Sequence, residues 1–195
     1  YGGNEEIDYY QKTISEFEKI QRIPHGAEIN LWFEDDLFCQ VNLWFILHLM
    51  KESDEIYNLF LVRPGEGSVY GFGSMDESDL FTAFQNRSQL SPEGFQELSR
   101  LWRLYQQDDF EQMNEIADKL KAKFDFLSPA INAHIERIEK DGKPGRPTQS
   151  LIRIMNELET VEFGPVFRVF CEKESIYGFG DLQVKRLFEA VLKNR

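Results

Sequence analysis

The sequence predicts an α/β layer followed by an all-α half. Three observations carry this prediction: a strand, helix, strand order over residues 28–62, helical apolar periodicity in segment after segment from Ser74 onward, and no later segment with the alternation of a strand.

Residues 5–22 repeat Ile7, Tyr10, Ile14, Phe17 and Ile20 at helical spacing and predict a surface helix. A turn at Pro24-His25-Gly26 leads to a strand over 28–33, a helix from Leu37 to Met50, and a second strand from Tyr57 to Val62 closed by Arg63-Pro64-Gly65. This βαβ order predicts parallel strands with a right-handed crossover, a partial Rossmann-like sheet. Two strands cannot stand alone. Further strands are expected either from residues preceding Tyr1 in a longer protein, as the chain lacks an initiator Met, or from a second molecule, which leaves a homo-oligomer open.

The helical part shows apolar faces at Phe95, Leu98, Leu101, Trp102 and Tyr105, at Phe110, Met113, Ile116 and Leu120, and at Leu127, Ile131, Ile135 and Ile138. The loop Lys140 to Pro147 holds two Pro and two Gly and breaks the succession. Three short helices follow, at Leu151–Leu158, Phe163–Phe170 and Leu182–Leu192, enough for a small module of helix-turn-helix type. The expected division is a partial α/β domain over 1–73, a helical linker region over 74–141 and a helical C-terminal module over 142–195.

With 195 residues, 42% hydrophobic and 29% charged, the chain is long enough to bury a core. It has no apolar run of membrane-spanning length, and its first residues have neither the basic end nor the apolar middle of a signal peptide, so a cytoplasmic, membrane-free protein is expected. Cys39 and Cys171 sit in apolar helical patterns and are expected as buried thiols. The net charge of -12 argues against general affinity for nucleic acid or anionic membrane. That excess is N-terminal: residues 115–195 carry 14 Lys/Arg against 13 Asp/Glu, leaving 8 against 21 for the first 114.

The chemistry concentrates where the first strand meets its helix, at Glu34-Asp35-Asp36. Ligands of open α/β sheets bind outside the carboxyl ends of the strands, and hard cations such as Mg²⁺ take one or two carboxylates there. Period-two alternation puts Glu34 and Asp36 on one side and Asp35 on the other. Gln40 lies on the helical face of Asp36, and Arg63 ends the second strand as an anion partner. Glu34, Asp36, Gln40 and Arg63 are therefore the expected ligand-binding residues, with Glu34 and Asp36 as the pair for a divalent metal. A helix cap on Asp35 or Asp36 is the structural alternative. His48 and His134 read as core histidines, and His25, in the turn next to the strand, is the one of the three for which an exposed place near a site is open as the lesser alternative. No common hydrolase, nucleotide-phosphate or zinc motif occurs, so catalysis is left open. A nucleic-acid alternative rests on Arg146, Lys185 and Arg186, with Lys143, Arg153, Lys193 and Arg195 as further C-terminal cations. A protein-interaction scaffold is the third reading.

Tyr70-Gly-Phe-Gly-Ser74 is echoed by Tyr177-Gly-Phe-Gly-Asp181, each followed by Leu-Phe-x-Ala. Both are expected as helix entrances, with Ser74 or Asp181 capping and Ser74 with Glu77 forming a capping box, against the alternative of a Gly-rich phosphate cradle.

The run Leu31-Trp-Phe-Glu-Asp-Asp-Leu-Phe-Cys-Gln40, taken with Gly71-Phe-Gly73, Gly145-Arg-Pro147 and Tyr177 to Lys185, resembles a bacterial family known only as domain of unknown function 1835. The likeness covers most of the chain. The family motif Trp-Phe-Glu-His-Asp-Leu followed by Gln falls on Trp32, Phe33, Glu34, Asp36, Leu37 and Gln40, with Asp35 in place of the usual His. Members of that family begin with a strand bearing Asn-Gly-Asp and have a later Glu with Gly-Pro. Neither segment is present here, so the resemblance implies a missing N-terminal part. It implies no activity.

Overall fold

The computed structural model describes residues 10–52, 57–65 and 71–193; Ile7, Tyr70 and Arg195 lie outside these, as does the side chain of Tyr10. Apolar runs of strand length form β1 (Glu28–Trp32) and β2 (Asn58–Val62), which pair in parallel with Leu31 opposite Leu61 and Trp32 opposite Val62. Between them, α1 (Ser15–Glu18) having preceded, runs α2 (Leu37–Lys51). The α/β order expected for residues 28–62 is thus present.

A third strand departs from the sequence reading. Ser88–Gln89 forms β3, antiparallel to β2, with Phe60 opposite Gln89, giving the order β1-β2-β3. Two polar residues carry no apolar alternation to read. They pair because the neighbouring chain is tied in place, with the Leu90 N–H donating to the Leu59 carbonyl at 2.8 Å. The first helix also differs. Instead of one amphipathic helix, the chain tightens from a π-helical turn (Tyr10–Ile14) through α1 to a 3-10 turn (Ile20–Arg22). Phe17 meets Phe45 of α2 edge to face at 5.1 Å.

On α2, Leu37, Gln40, Leu43, Trp44, Leu47 and Met50 are buried, a repeat of three and four residues that lays one stripe against the core. The helices that follow are α3 (Glu77–Gln85), α4 (Pro92–Gln107), α5 (Phe110–Leu120) and α6 (Leu127–Glu136). Leu98 and Leu101 of α4, Met113 and Ile116 of α5, and Leu127 and Ile131 of α6 join Leu31, Leu59, Leu61 and Trp44 in one cluster. The segment expected as a linker region thus shares a core with the sheet, and each fully buried Leu, Ile or Met there contributes roughly 1.5–3 kcal/mol. Ser91 and Pro92 start α4, the Ser91 hydroxyl accepting from the Gly94 N–H, and left-handed Asp108 ends it.

Past the Lys140 to Pro147 loop stand α7 (Arg146–Glu157), α8 (Phe163–Lys173) and α9 (Asp181–Lys193). They enclose their own cluster of Leu151, Ile154, Met155, Val166, Phe170, Val184, Phe188 and Val191. A small third cluster, Leu37, Ala133 and Tyr177, joins this module to α2 and α6. No helix among the described residues is long and apolar enough to cross a membrane.

Both Gly-Phe-Gly segments stand before helices, but the caps differ from those read in the sequence. Residues Gly71–Ser74 first make a 3-10 turn, in which the Ser74 hydroxyl donates to the Gly71 carbonyl, so α3 starts later. Its capping box is Asp76 with Asp79, not Ser74 with Glu77. At the second copy the Gly180 N–H donates to the Gln183 side chain, while Asp181 accepts from the Leu182 N–H.

Candidate functional site

β1 ends at Trp32, and its last link to β2 is the Phe33 N–H donating to the Val62 carbonyl. The three acids that follow take separate partners. Asp36 is the N-cap of α2, in extended backbone conformation, accepting from the Cys39 N–H at 3.0 Å. Glu34 accepts from the Phe72 N–H at 2.8 Å. Asp35 pairs with Arg63 through two parallel bonds, Nε to Oδ1 at 2.7 Å and Nη2 to Oδ2 at 2.6 Å. Glu34 and Asp36 therefore work apart from Asp35, as the alternation of side chains suggests.

Arg63 is fully engaged. Its Nη1 reaches Asp125 at 3.3 Å and its guanidinium lies 4.3 Å over the Phe126 ring. Burial alone would lower its pKa, but the bonds and charge of Asp35, with those of Asp125, raise it. The anion partner expected for Arg63 is thus supplied by the chain itself.

Gln40 is fully buried one turn into α2. Its side chain turns to Glu34, Nε2 donating to the Glu34 carbonyl at 2.8 Å, and does not join the Asp36 carboxylate. The Gln40 Oε1 has no hydrogen-bond partner among the described residues. The ligand atoms of Glu34, Asp36 and Cys39 all lie within 4.8 Å of one another. The Cys39 thiol is pushed up to about 12, by burial first and then by the charge of Asp36.

Two glycines hold the acids from opposite parts of the chain. Gly71 has φ +56° and a Cβ there would overlap the Glu34 carboxylate; Gly178 has φ +60° and a Cβ there would overlap that of Asp36. Each is the first glycine of one copy of the echoed motif, in the left-handed region open chiefly to Gly. The echo is therefore a pair of turns that admit the two carboxylates.

These residues open on a cleft of about 1000 Å³ at the carboxyl ends of β1 and β2. Glu34, Asp36 and Arg63 line it, whereas Gln40 lies beneath. Its other walls come from α3 with Asp79, from Lys123 and Asp125 before α6, and from Cys171, Ser175 and Gly178 of the C-terminal module. The sequence reading missed these, because only Gly178 carried a signal, through its echo of Gly71.

The remaining sequence-selected residues lie elsewhere. His25 is exposed in the turn before β1, at the opposite end of that strand from Glu34, so the lesser alternative of a place near this site does not hold. His134 is buried, its Nδ1 accepting from Arg137 Nε at 3.1 Å, and its pKa falls to about 4 through burial and the Arg137 charge. His48 is lowered by burial and by Arg103. Arg146 is paired with Glu136 at 2.7 Å and with buried Glu174 at 2.8 Å, while Lys185 and Arg186 stand exposed on α9. No protein-family model, curated protein or solved structure matches the chain.

Proposed function

We propose that this chain binds a small ligand through a divalent cation held by Glu34 and Asp36 at the carboxyl end of β1. The observation that carries the reading is the charge of the cleft: Glu34, Asp35, Asp36, Asp79 and Asp125 line it against Arg63 and Lys123, and Arg63 is already neutralised by Asp35 and Asp125. A free anion would be repelled there. A cation, or an anion carried on one, is attracted. Each carboxylate has about four acceptor sites, so the backbone N–H bonds to Glu34 and Asp36 orient these groups and leave most of that capacity for a metal. A phosphate or carboxylate of the ligand would complete the metal's shell in the cleft, with Lys123 as the cation available to it. A strand-end site beside a parallel β1-α2-β2 unit also suits a Rossmann-like layer.

The test is thermal unfolding with Mg²⁺, Mn²⁺ or Zn²⁺, alone and with nucleotides, beside Asp36→Asn. A ligand at 100 times its Kd adds about 2.7 kcal/mol, a shift of roughly 5–10 °C for a chain of this size. The shift is expected in the wild type and absent from Asp36→Asn. A wild type unmoved by every combination would overturn the reading.

A further inference from the structure

Building on that metal-binding reading, we propose that the Cys39 sulfur is the third ligand, making this a mixed sulfur and oxygen site selective for a borderline cation such as Zn²⁺ over Mg²⁺. The ligand atoms of Glu34, Asp36 and Cys39 already lie within 4.8 Å of one another. Tetrahedral zinc with one sulfur and two oxygens needs them roughly 3.2–3.8 Å apart, a contraction of at most about 1–1.6 Å.

An independent observation points to the same place. The amide of Gln40 is buried against Glu34, Nε2 on its carbonyl at 2.8 Å, and the Gln40 backbone N–H donates to the Asp36 carbonyl at 2.9 Å. The first of these bonds holds the Gln40 head against the backbone of Glu34. Its Oε1 has no partner among the described residues. Buried amide oxygens are nearly always satisfied, so an orphan on a side chain bonded to the Glu34 backbone offers an acceptor for a metal-bound water next to the acid pair.

The sulfur decides the ion. Mg²⁺ binds oxygen and keeps its waters, whereas Zn²⁺ and Co²⁺ accept thiolate together with carboxylate. On binding, the S–H bond of Cys39 breaks, its proton leaves to solvent, and the sulfur lone pair forms the bond to the metal; no electron is transferred. Cys171, unlike Cys39, lines the cleft but stands outside this group of converging atoms, which makes it the internal control.

The experiment is titration of the metal-stripped full chain with Co²⁺, following the near-ultraviolet thiolate-to-cobalt charge-transfer band. One equivalent is expected to develop the band, Zn²⁺ to abolish it, and excess Mg²⁺ to leave it. Cys39→Ser, a near-isosteric change, should lose the band and more than an order of magnitude in Zn²⁺ affinity while its unfolding midpoint stays close to wild type. Cys171→Ser should keep the band. Absence of the band in the wild type, or its loss in Cys171→Ser instead of Cys39→Ser, would overturn the assignment. If Mg²⁺ or Mn²⁺ then still gives Asp36-dependent stabilisation, the sulfur ligand fails and the metal-binding reading stands. Stabilisation by no divalent ion defeats both.

Discussion

Replacing Gly178 by Ala tests the contact on which the shape of the cleft depends. The added methyl would overlap the Asp36 carboxylate and come within 3.0 Å of the Phe38 Cβ, on a backbone with φ +60°. Holding Ala in the left-handed region costs roughly 1–2 kcal/mol. Moving Asp36 aside also costs the N-cap of α2, about 1 kcal/mol. The sum, about 2–3 kcal/mol, is a fall in Tm of roughly 4–12 °C for a chain of this length. The informative comparison is with Asp36→Ala, in which cap and overlap are both gone. There Gly178→Ala should cost only its backbone share, giving a coupling of about 1 kcal/mol in a double-mutant cycle read by urea unfolding. Equal costs in the two backgrounds would refute the contact and, with it, the claim that the C-terminal module shapes the acid pair.

Arg63→Met should cost about 1–2 kcal/mol, the salt-screened worth of its paired bonds to half-exposed Asp35 and exposed Asp125, and Asp35→Asn should add little to it; independent, additive losses in urea unfolding would contradict the shared bond. Asp36→Asn should unfold within about 0.5 kcal/mol of wild type, since Asn caps as well as Asp, so that any loss of metal response in this variant reflects charge and not folding. His134 has its folded pKa, about 4, below the ordinary 6.5, so its contribution is present above pH 6.5 and lost as pH falls toward 4. That contribution is at most about 3 kcal/mol, and the slope of stability against pH across this window should flatten in His134→Gln; an unchanged slope would show that another group titrates there.

Much of the architecture is legible because it rests on local patterning. Ile29 to Phe33 and Leu59 to Val62 are apolar runs too short for helices, and Asp36 stands directly before the apolar stripe of α2, so order, direction and site location follow from neighbours in sequence. β3 was not legible, because Ser88 and Gln89 pair through backbone groups that no side-chain pattern reports. Nor was the commitment of Arg63, whose partners Asp35 and Asp125 lie 28 and 62 positions away. The echoed glycines sat between: their repetition was visible, but its meaning needs the position of the two carboxylates. Cys39 reads in sequence as one more apolar residue of α2, and only the fold sets its sulfur beside Glu34 and Asp36.

The contact between Asp36 and Gly178 also orders events in the making of the protein. It joins residue 36 to residue 178, 142 positions later, whereas the sheet and helices α2 to α6 close their core with residues no later than Ile135. During synthesis the first core can therefore assemble while helices α7 to α9 are still emerging. Until Gly178 leaves the ribosome, the acid pair faces water on the side the C-terminal module will later cover. The site becomes whole only once residues 171–178 have been made, so a truncation before them that spares every acid would still leave the cleft without one wall.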